Sequence, residues 1–335
     1  MKRERIDVHS HIYTIEHLKT IERFGALAGW KLMNNAGVRM LYGERGYPFV
    51  ITQSCYDMEE RVKELDKAGV TRQILSPSEP FFDFLEDTKE SVKLARSVND
   101  EVSKISETNR DRFAGLAGLP LNDVGASVDE ARRACKDLGL KGVILPTKVQ
   151  GNREITSEEF SELFRALDML GATIFIHPTL PSGAEQYRKY FLGMMVLYPY
   201  ESGLTIAKMI FSGMLDKYTK IKIMVADLGG ALPMLSGRMF RFYSSIPECK
   251  ADLKKEPSEY LKDRIFYENG SEFYRYSMRC CYEMVGASHI LFGTNHPSPI
   301  VAFQDAIDSV ESFDISTEEK DMILHQNARK LFSLA

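Results

Sequence analysis

The chain has 335 residues, 44% hydrophobic and 27% charged, with a formal net charge of −4, an ordinary balance for a globular protein that buries a full core. That charge leaves no basic footprint for nucleic acid or an anionic membrane, and no apolar run approaches the ~18 residues of a membrane span. Five cysteines without CxxC spacing (Cys55, Cys135, Cys249, Cys280, Cys281) point to free thiols in a reducing cytoplasm rather than a disulfide framework, and no apolar signal segment precedes Ile6.

Short apolar, β-branched runs then recur along the chain, each followed by a longer segment of helical period. In chain order they read strand Ile6–His11, helix Met58–Ala68, strand Arg72–Ser76, helix Ser91–Arg110, strand Phe113–Leu119 and helix Ser127–Leu138. Strand Leu140–Leu145, helix Ser157–Leu170, strand Ala172–His177, helix Thr205–Tyr218 and strands Lys222–Ala226 and Ile265–Tyr267 follow. Helix Glu272–Val285, strand Ile290–Gly293 and helices Val301–Glu311 and Thr317–Phe332 close the chain. Acid-rich caps at Ser157 and Ser316 mark two helix starts, and Gly69, Gly139, Gly171 and Gly286 sit where helices end. Eight strands alternating with helices predict a parallel (β/α)₈ TIM barrel of the α/β class, one domain over residues 1–335. An open doubly wound sheet is the alternative, but no glycine-rich turn follows the first strand. The stretch from about 13 to 56, which holds the only tryptophan, Trp30, is too long for a simple connection. It reads as an inserted lid or subdomain, or as a subunit contact.

Barrel chemistry sits at the C-terminal ends of the strands. Those ends carry His9 and His11, then Thr147 and Lys148, then His177, Asp227 and Asn295. His9 and His11 are two apart, so they share a strand face. Two imidazoles there and a third on strand five make a divalent metal site.

From these residues onward the sequence resembles the amidohydrolase-related family. Ile6-Asp7-Val8-His9-Ser10-His11 is similar to its opening, and the likeness continues through Leu65–Val70, Arg112–Leu116, Leu138–Val143, Ile176-His177-Pro178, Leu228–Pro233, Leu291–Thr294 and Asn327–Phe332. Cys55-Tyr56-Asp57 and Tyr198-Pro199-Tyr200-Glu201 resemble the aminocarboxymuconate-semialdehyde decarboxylase branch. The resemblance implies Zn²⁺ or a similar divalent metal held by the HxH pair, His177 and an Asp after strand eight, with a His after strand six as base or polarising group. It also implies a homodimer and a small carboxylated, unsaturated or aromatic substrate. Arg238 stands where relatives bind a substrate carboxylate, sometimes across the dimer.

Two positions depart from that pattern. Asp227 replaces the strand-six His, and Asn295 replaces the strand-eight Asp. Asn carries no charge to a metal, so the carboxylate has in effect moved to Asp227, giving His9, His11, His177 and Asp227 as the metal set and Asp227 and Asn295 as the catalytic positions. A second branch Arg is replaced by Thr52, which argues against the branch's own muconate-semialdehyde substrate. The expected activity is a metal-dependent carbon–carbon lyase (nonoxidative decarboxylase) or hydrolase. The alternative, favoured by Asn295, is a catalytically silent barrel that binds a ligand or partner. The blander readings are that Asp227 braces the Gly229-Gly230 turn, that Arg238 makes a surface ion pair, and that His296 and Lys148 are solvated loop residues.

Overall fold

The structure, a computed structural model, describes residues 3–35, 37–43 and 47–334. Among them, eight parallel strands form the barrel: β1 (Ile6–Ile12), β2 (Arg72–Pro77), β3 (Phe113–Gly115), β4 (Gly142–Pro146), β5 (Thr173–His177), β6 (Lys222–Val225), β7 (Ile265–Glu268) and β8 (Ile290–Leu291). β1 pairs with β2 and β2 with β3, while β4 to β8 pair in sequence order. Two seams close the ring. Ala117, just past β3, bridges Val143 of β4, and Ser10 of β1 bridges His296 beyond β8, with Val8 N–H donating to the Phe292 carbonyl at 3.0 Å. The (β/α)₈ expectation holds, and the open sheet is excluded because no strand edge remains at either seam.

A filled interior explains the apolar strands. Ile6, Val8, Ile74, Ala114, Leu116, Ile144, Phe175, Met224, Ala226 and Leu291 form one cluster, plugged by Ala328, Leu331 and Phe332 of the last helix. A larger layer packs the outer strand faces against the helices. The pairing of β1 with β2 shifts register between Asp7 and Ser10. This irregularity matters for function, because plain alternation would turn His9 away from the face that Val8 occupies. With the shift, the His9 ring lies 5.0 Å from that of Phe175 in the inner cluster.

The segment after β1 is a helix, Ile15–Phe24, followed by a three-stranded antiparallel meander of Lys31–Asn35, Val38–Tyr42 and Pro48–Val50. Ala36 and residues 44–46 of this segment lie outside the described residues. Its two ends are tied where Tyr13 N–H donates to the Cys55 carbonyl at 2.9 Å. The helix expected at Thr205–Tyr218 starts earlier, spans Tyr198–Phe211, and breaks at left-handed Gly213. Helices Leu232–Ser245 and Pro257–Asp263 stand between β6 and β7, where the strand–helix alternation called for a helix but local pattern gave no bounds for one. The first buries only Leu232 and Pro233, so it lacks the core-facing stripe that periodicity detects.

Candidate metal centre and active site

β1 and β5 deliver three buried imidazoles to one point at the barrel mouth. The ligand nitrogens of His9, His11 and His177 all lie within 4.8 Å of one another, and His9 Nε2 is 3.0 Å from His11 Nε2. Two nitrogens bound to one tetrahedral zinc at about 2.05 Å would be about 3.3 Å apart, so the pair is spaced for a shared ion. Each ring is held from behind. His9 Nδ1 is 2.8 Å from Glu268 Oε1, His11 Nδ1 is 3.1 Å from Ser76 Oγ, and His177 Nδ1 is 2.9 Å from the Pro178 carbonyl. Such partners fix the tautomer that leaves Nε2 free to ligate.

Burial and charge treat the three rings differently. Burial drives the His177 pKa down to about 3, with the positive His9 adding to the effect. Burial also drives His11 well below its ordinary value, with His177, His9 and Arg61 reinforcing it. Both are neutral imidazoles at pH 7. Burial opposes a charge on His9 too, but Glu268, Asp227 and Asp7 around it prevail and its pKa is raised.

Asp227 stands beside this trio, outside the group whose ligand atoms converge. Its pKa is pushed up to about 7, first by burial and then by the charge of Glu268. Its Oδ1 is buried with no hydrogen-bond partner among the described residues. The backbone from Asp227 to Gly230 runs through four consecutive positive φ values, a strained turn of the kind found at functional sites. Gly230 is obligatory there, because a Cβ would fall 1.8 Å from the Pro199 carbonyl oxygen. Orphaned Asp227 Oδ1 beside three neutral-capable imidazoles is a donor set that fits a divalent cation. His9, His11 and His177 would hold it.

The other expected residues divide. Asn295 is half-buried, left-handed, and donates from Nδ2 to Ser271 Oγ at 2.9 Å. Arg238 is exposed on helix Leu232–Ser245 with its guanidinium 5.0 Å over the Phe242 ring, and it does not line the cavity described below. Thr147 is buried and exchanges hydrogen bonds with Thr179. Two expectations are corrected. His296 is buried rather than a solvated loop residue: its Nε2 is 2.8 Å from Glu64 Oε2, and it stacks on Phe303. Lys148 is likewise no solvated lysine. Its ammonium lies 3.5 Å from both Glu154 and Glu201 and it lines a cavity. In both cases a helix remote in sequence supplies a carboxylate partner, Glu201 for Lys148 and Glu64 for His296.

Sequence reasoning missed three supports. Glu268, at the end of β7, is fully buried. Fully buried Arg61 donates to the His11 carbonyl at 2.5 Å, to the Ser54 carbonyl at 2.9 Å and to Gln73 Oε1 at 3.2 Å. Asp7 accepts from His9 N–H, Thr294 N–H and Oγ, and Gln73 Nε2, tying β1 to the strand-eight loop. The available signal was a charged residue inside an otherwise apolar strand or at its end, which Asp7 and Glu268 share.

Beyond His177 a cavity of about 400 Å³ opens between the meander and the strand ends. Trp30, Tyr47, Phe49, Phe81, Phe84 and Tyr198 supply its aromatic wall, and Glu79, Asp83 and Lys148 its charged groups. Burial raises the Asp83 pKa to about 6, and the Tyr198 hydroxyl donates to the Glu79 carboxylate. The volume suits a small single-ring ligand.

The chain is similar to several known enzymes. The 2-amino-3-carboxymuconate-6-semialdehyde decarboxylase of Dictyostelium discoideum is 26% identical, covering 98% of this chain and 92% of that one. The 6-methylsalicylic acid decarboxylase of Penicillium expansum is 25% identical over 98% and 96%. Among solved structures, a 5-carboxyvanillate decarboxylase of Novosphingobium aromaticivorans, complexed with manganese and 4-hydroxy-3-methoxy-5-nitrobenzoic acid, shares the fold at TM-score 0.86. It is 24% identical, over 99% of this chain and 96% of that one. Residues 6–334 match the amidohydrolase family as a whole, and the chain belongs to that family.

Proposed function

We propose that this protein is a metal-dependent nonoxidative decarboxylase of a small aromatic or unsaturated carboxylic acid. The observation that carries the reading is the pairing of the His9–His11–His177 cradle with a buried carboxyl, Asp227, whose pKa of about 7 lets it hold a proton at neutral pH. Nonoxidative decarboxylation replaces a carbon–carboxylate bond by a carbon–hydrogen bond, so a proton must reach the ring or alkene carbon as CO₂ leaves. Asp227 in its acid form gives that proton, the carbon–carbon bond electrons stay with the departing CO₂'s former partner as the new C–H bond forms, and water later reprotonates the carboxylate. His9, His11 and His177 would hold a divalent ion, which when bound would supply Lewis-acid polarisation. The aromatic wall of the cavity takes the ring. The relatives named above, all decarboxylases, favour this reaction over hydrolysis and over a silent barrel.

Three imidazoles and a nearby carboxylate suit Zn²⁺, which we take as the resident ion, although one of the solved relatives contains manganese. We place the protein in the cytoplasm, on the strength of its five free thiols. No helix of the described residues is long and apolar enough to cross a membrane. Helix Leu232–Ser245 and the segment leading into helix Tyr198–Phe211 leave Tyr190, Phe191, Met195, Met234, Phe240 and Phe242 exposed, and an apolar surface of that kind marks an association face. We assign it to a homodimer, with Arg238 on the same helix offered to the partner's substrate carboxylate.

The deciding experiment purifies the protein without added metal and measures its metal content. It then follows CO₂ release from 6-methylsalicylate, 2,6-dihydroxybenzoate and 5-carboxyvanillate before and after chelation and after readdition of Zn²⁺ or Mn²⁺. Chelator-sensitive CO₂ release restored by one ion is expected. A protein that binds neither ion sinks the reading in favour of the silent barrel.

A further inference from the structure

Glu268 is fully buried at the end of β7, and an ionised carboxylate in that position is costly unless donors surround it. Three do. His9 Nδ1 at 2.8 Å and the Asp227 N–H at 3.0 Å both meet Oε1, and the Gly270 N–H meets Oε2 at 2.6 Å. The space for this arrangement is made by two glycines. A Cβ on Gly270 would stand 2.4 Å from His9 Nδ1 and 2.6 Å from Glu268 Oε2, and one on Gly293 would stand 2.2 Å from Oε2 and 3.0 Å from His9 Cβ. The loops after β7 and β8 therefore leave no room for any side chain between the carboxylate and the imidazole. With no exposed surface, Glu268 reaches the site only through what it holds, His9 and the backbone of Asp227.

We propose that Glu268 is a positioning residue, fixing His9 as the Nδ1–H tautomer with Nε2 turned to the metal cradle, and fixing the Asp227 backbone through the same oxygen. A carboxylate from β7 thus supplies the negative charge behind the cradle that Asn295 cannot carry. One oxygen spans a ligand and the proton-holding residue, so orientation of both depends on a single side chain. A histidine ligand whose second nitrogen donates to a carboxylate is more basic and better oriented toward the ion. The inference rests on the metal-centre reading, and its test separates the two.

Wild type and Glu268→Gln are each titrated with Zn²⁺ and with Mn²⁺, and the metal-free proteins are melted alongside. Glu268→Gln is nearly isosteric, but its amide places a donor where Gly270 N–H or His9 Nδ1–H already donates. Binding of both ions weakens by about 10- to 100-fold, while metal-free melting stays cooperative. Equal affinities in the two proteins overturn the role of Glu268 and leave the metal centre standing; a wild type that binds neither ion overturns the metal centre itself. A second measurement needs no variant. In ¹⁵N-histidine-labelled wild type loaded with Zn²⁺, His9 is expected to carry its proton on Nδ1 and the ion on Nε2. Coordination through Nδ1, or an Nδ1 without a proton, overturns the proposal even if Glu268→Gln fails to fold.

Discussion

The two walls of the histidine cradle are built from opposite materials. On the His9 side stand Glu268, Asp227 and Asp7, all buried, and the imidazole pKa is raised. On the His177 side stand the aromatic rings of Phe81 and Tyr198, at 6.0 and 6.3 Å between centroids, with Phe175 shared between His9 and His177 at 5.0 and 5.7 Å, and the imidazole pKa falls to about 3. Identical side chains are thereby sorted into two tasks. In the proposed reaction the acidic wall would hold charge and protons where bonds are exchanged, and the aromatic wall would keep His177 neutral beside the cavity that takes a substrate ring.

The largest effect expected from breaking this division is on turnover. Asp227→Asn keeps the shape of the side chain but cannot hand over a proton, so kcat should fall by about 10²- to 10⁴-fold with metal content unchanged. Steady-state kinetics and metal analysis on the same preparation check this. Loss of metal together with activity would instead make Asp227 a ligand, as the sequence alone suggested.

A smaller effect sharpens the contrast through pH. The folded-state pKa of His177, about 3, lies below its ordinary 6.5. Between those values the unfolded chain takes up a proton that the folded one refuses, so acidification below pH 6.5 removes stability. For Asp227, about 7 when folded against an ordinary 3.8, the folded chain keeps a proton the unfolded one releases, and acidification from pH 7 toward 4 adds stability. Each group contributes up to ~1.4 kcal/mol per pH unit inside its window. In urea denaturation of metal-free protein at pH 7 and 5.5, His177→Gln should lose less stability on acidification than wild type, and Asp227→Asn should lose more. Parallel behaviour of all three proteins would erase the distinction between the walls.

The smallest effect concerns a residue on neither wall. If Arg238 reaches a partner's substrate, Arg238→Ala should raise KM roughly tenfold, as for one charged hydrogen bond, with kcat nearly constant. Sedimentation should show a dimer that Met234→Lys, in the same exposed face, dissociates. A monomeric wild type, or an unchanged KM, removes Arg238 from the site.

The sequence by itself determined the barrel, because eight apolar β-branched runs separated by helical periods state a local rule that parallel closure then satisfies. It also determined the cradle, since His9 and His11 share a strand face and His177 ends β5, and strand ends in a barrel converge whatever the loops do. It marked the two exchanged positions, Asp227 and Asn295, though not their surroundings. The tertiary structure alone decided what stands behind each ring. Glu268 meets His9 across 259 positions of chain, Gln73 meets Asp7 across 66, and His296 finds Glu64 across 232. The shift of register between β1 and β2 that aims His9 inward, and the Glu201 and Glu64 carboxylates that pair with half-buried Lys148 and buried His296, are likewise contacts between distant segments. Periodicity and spacing report neighbours along the chain, whereas a pKa is set by neighbours in space.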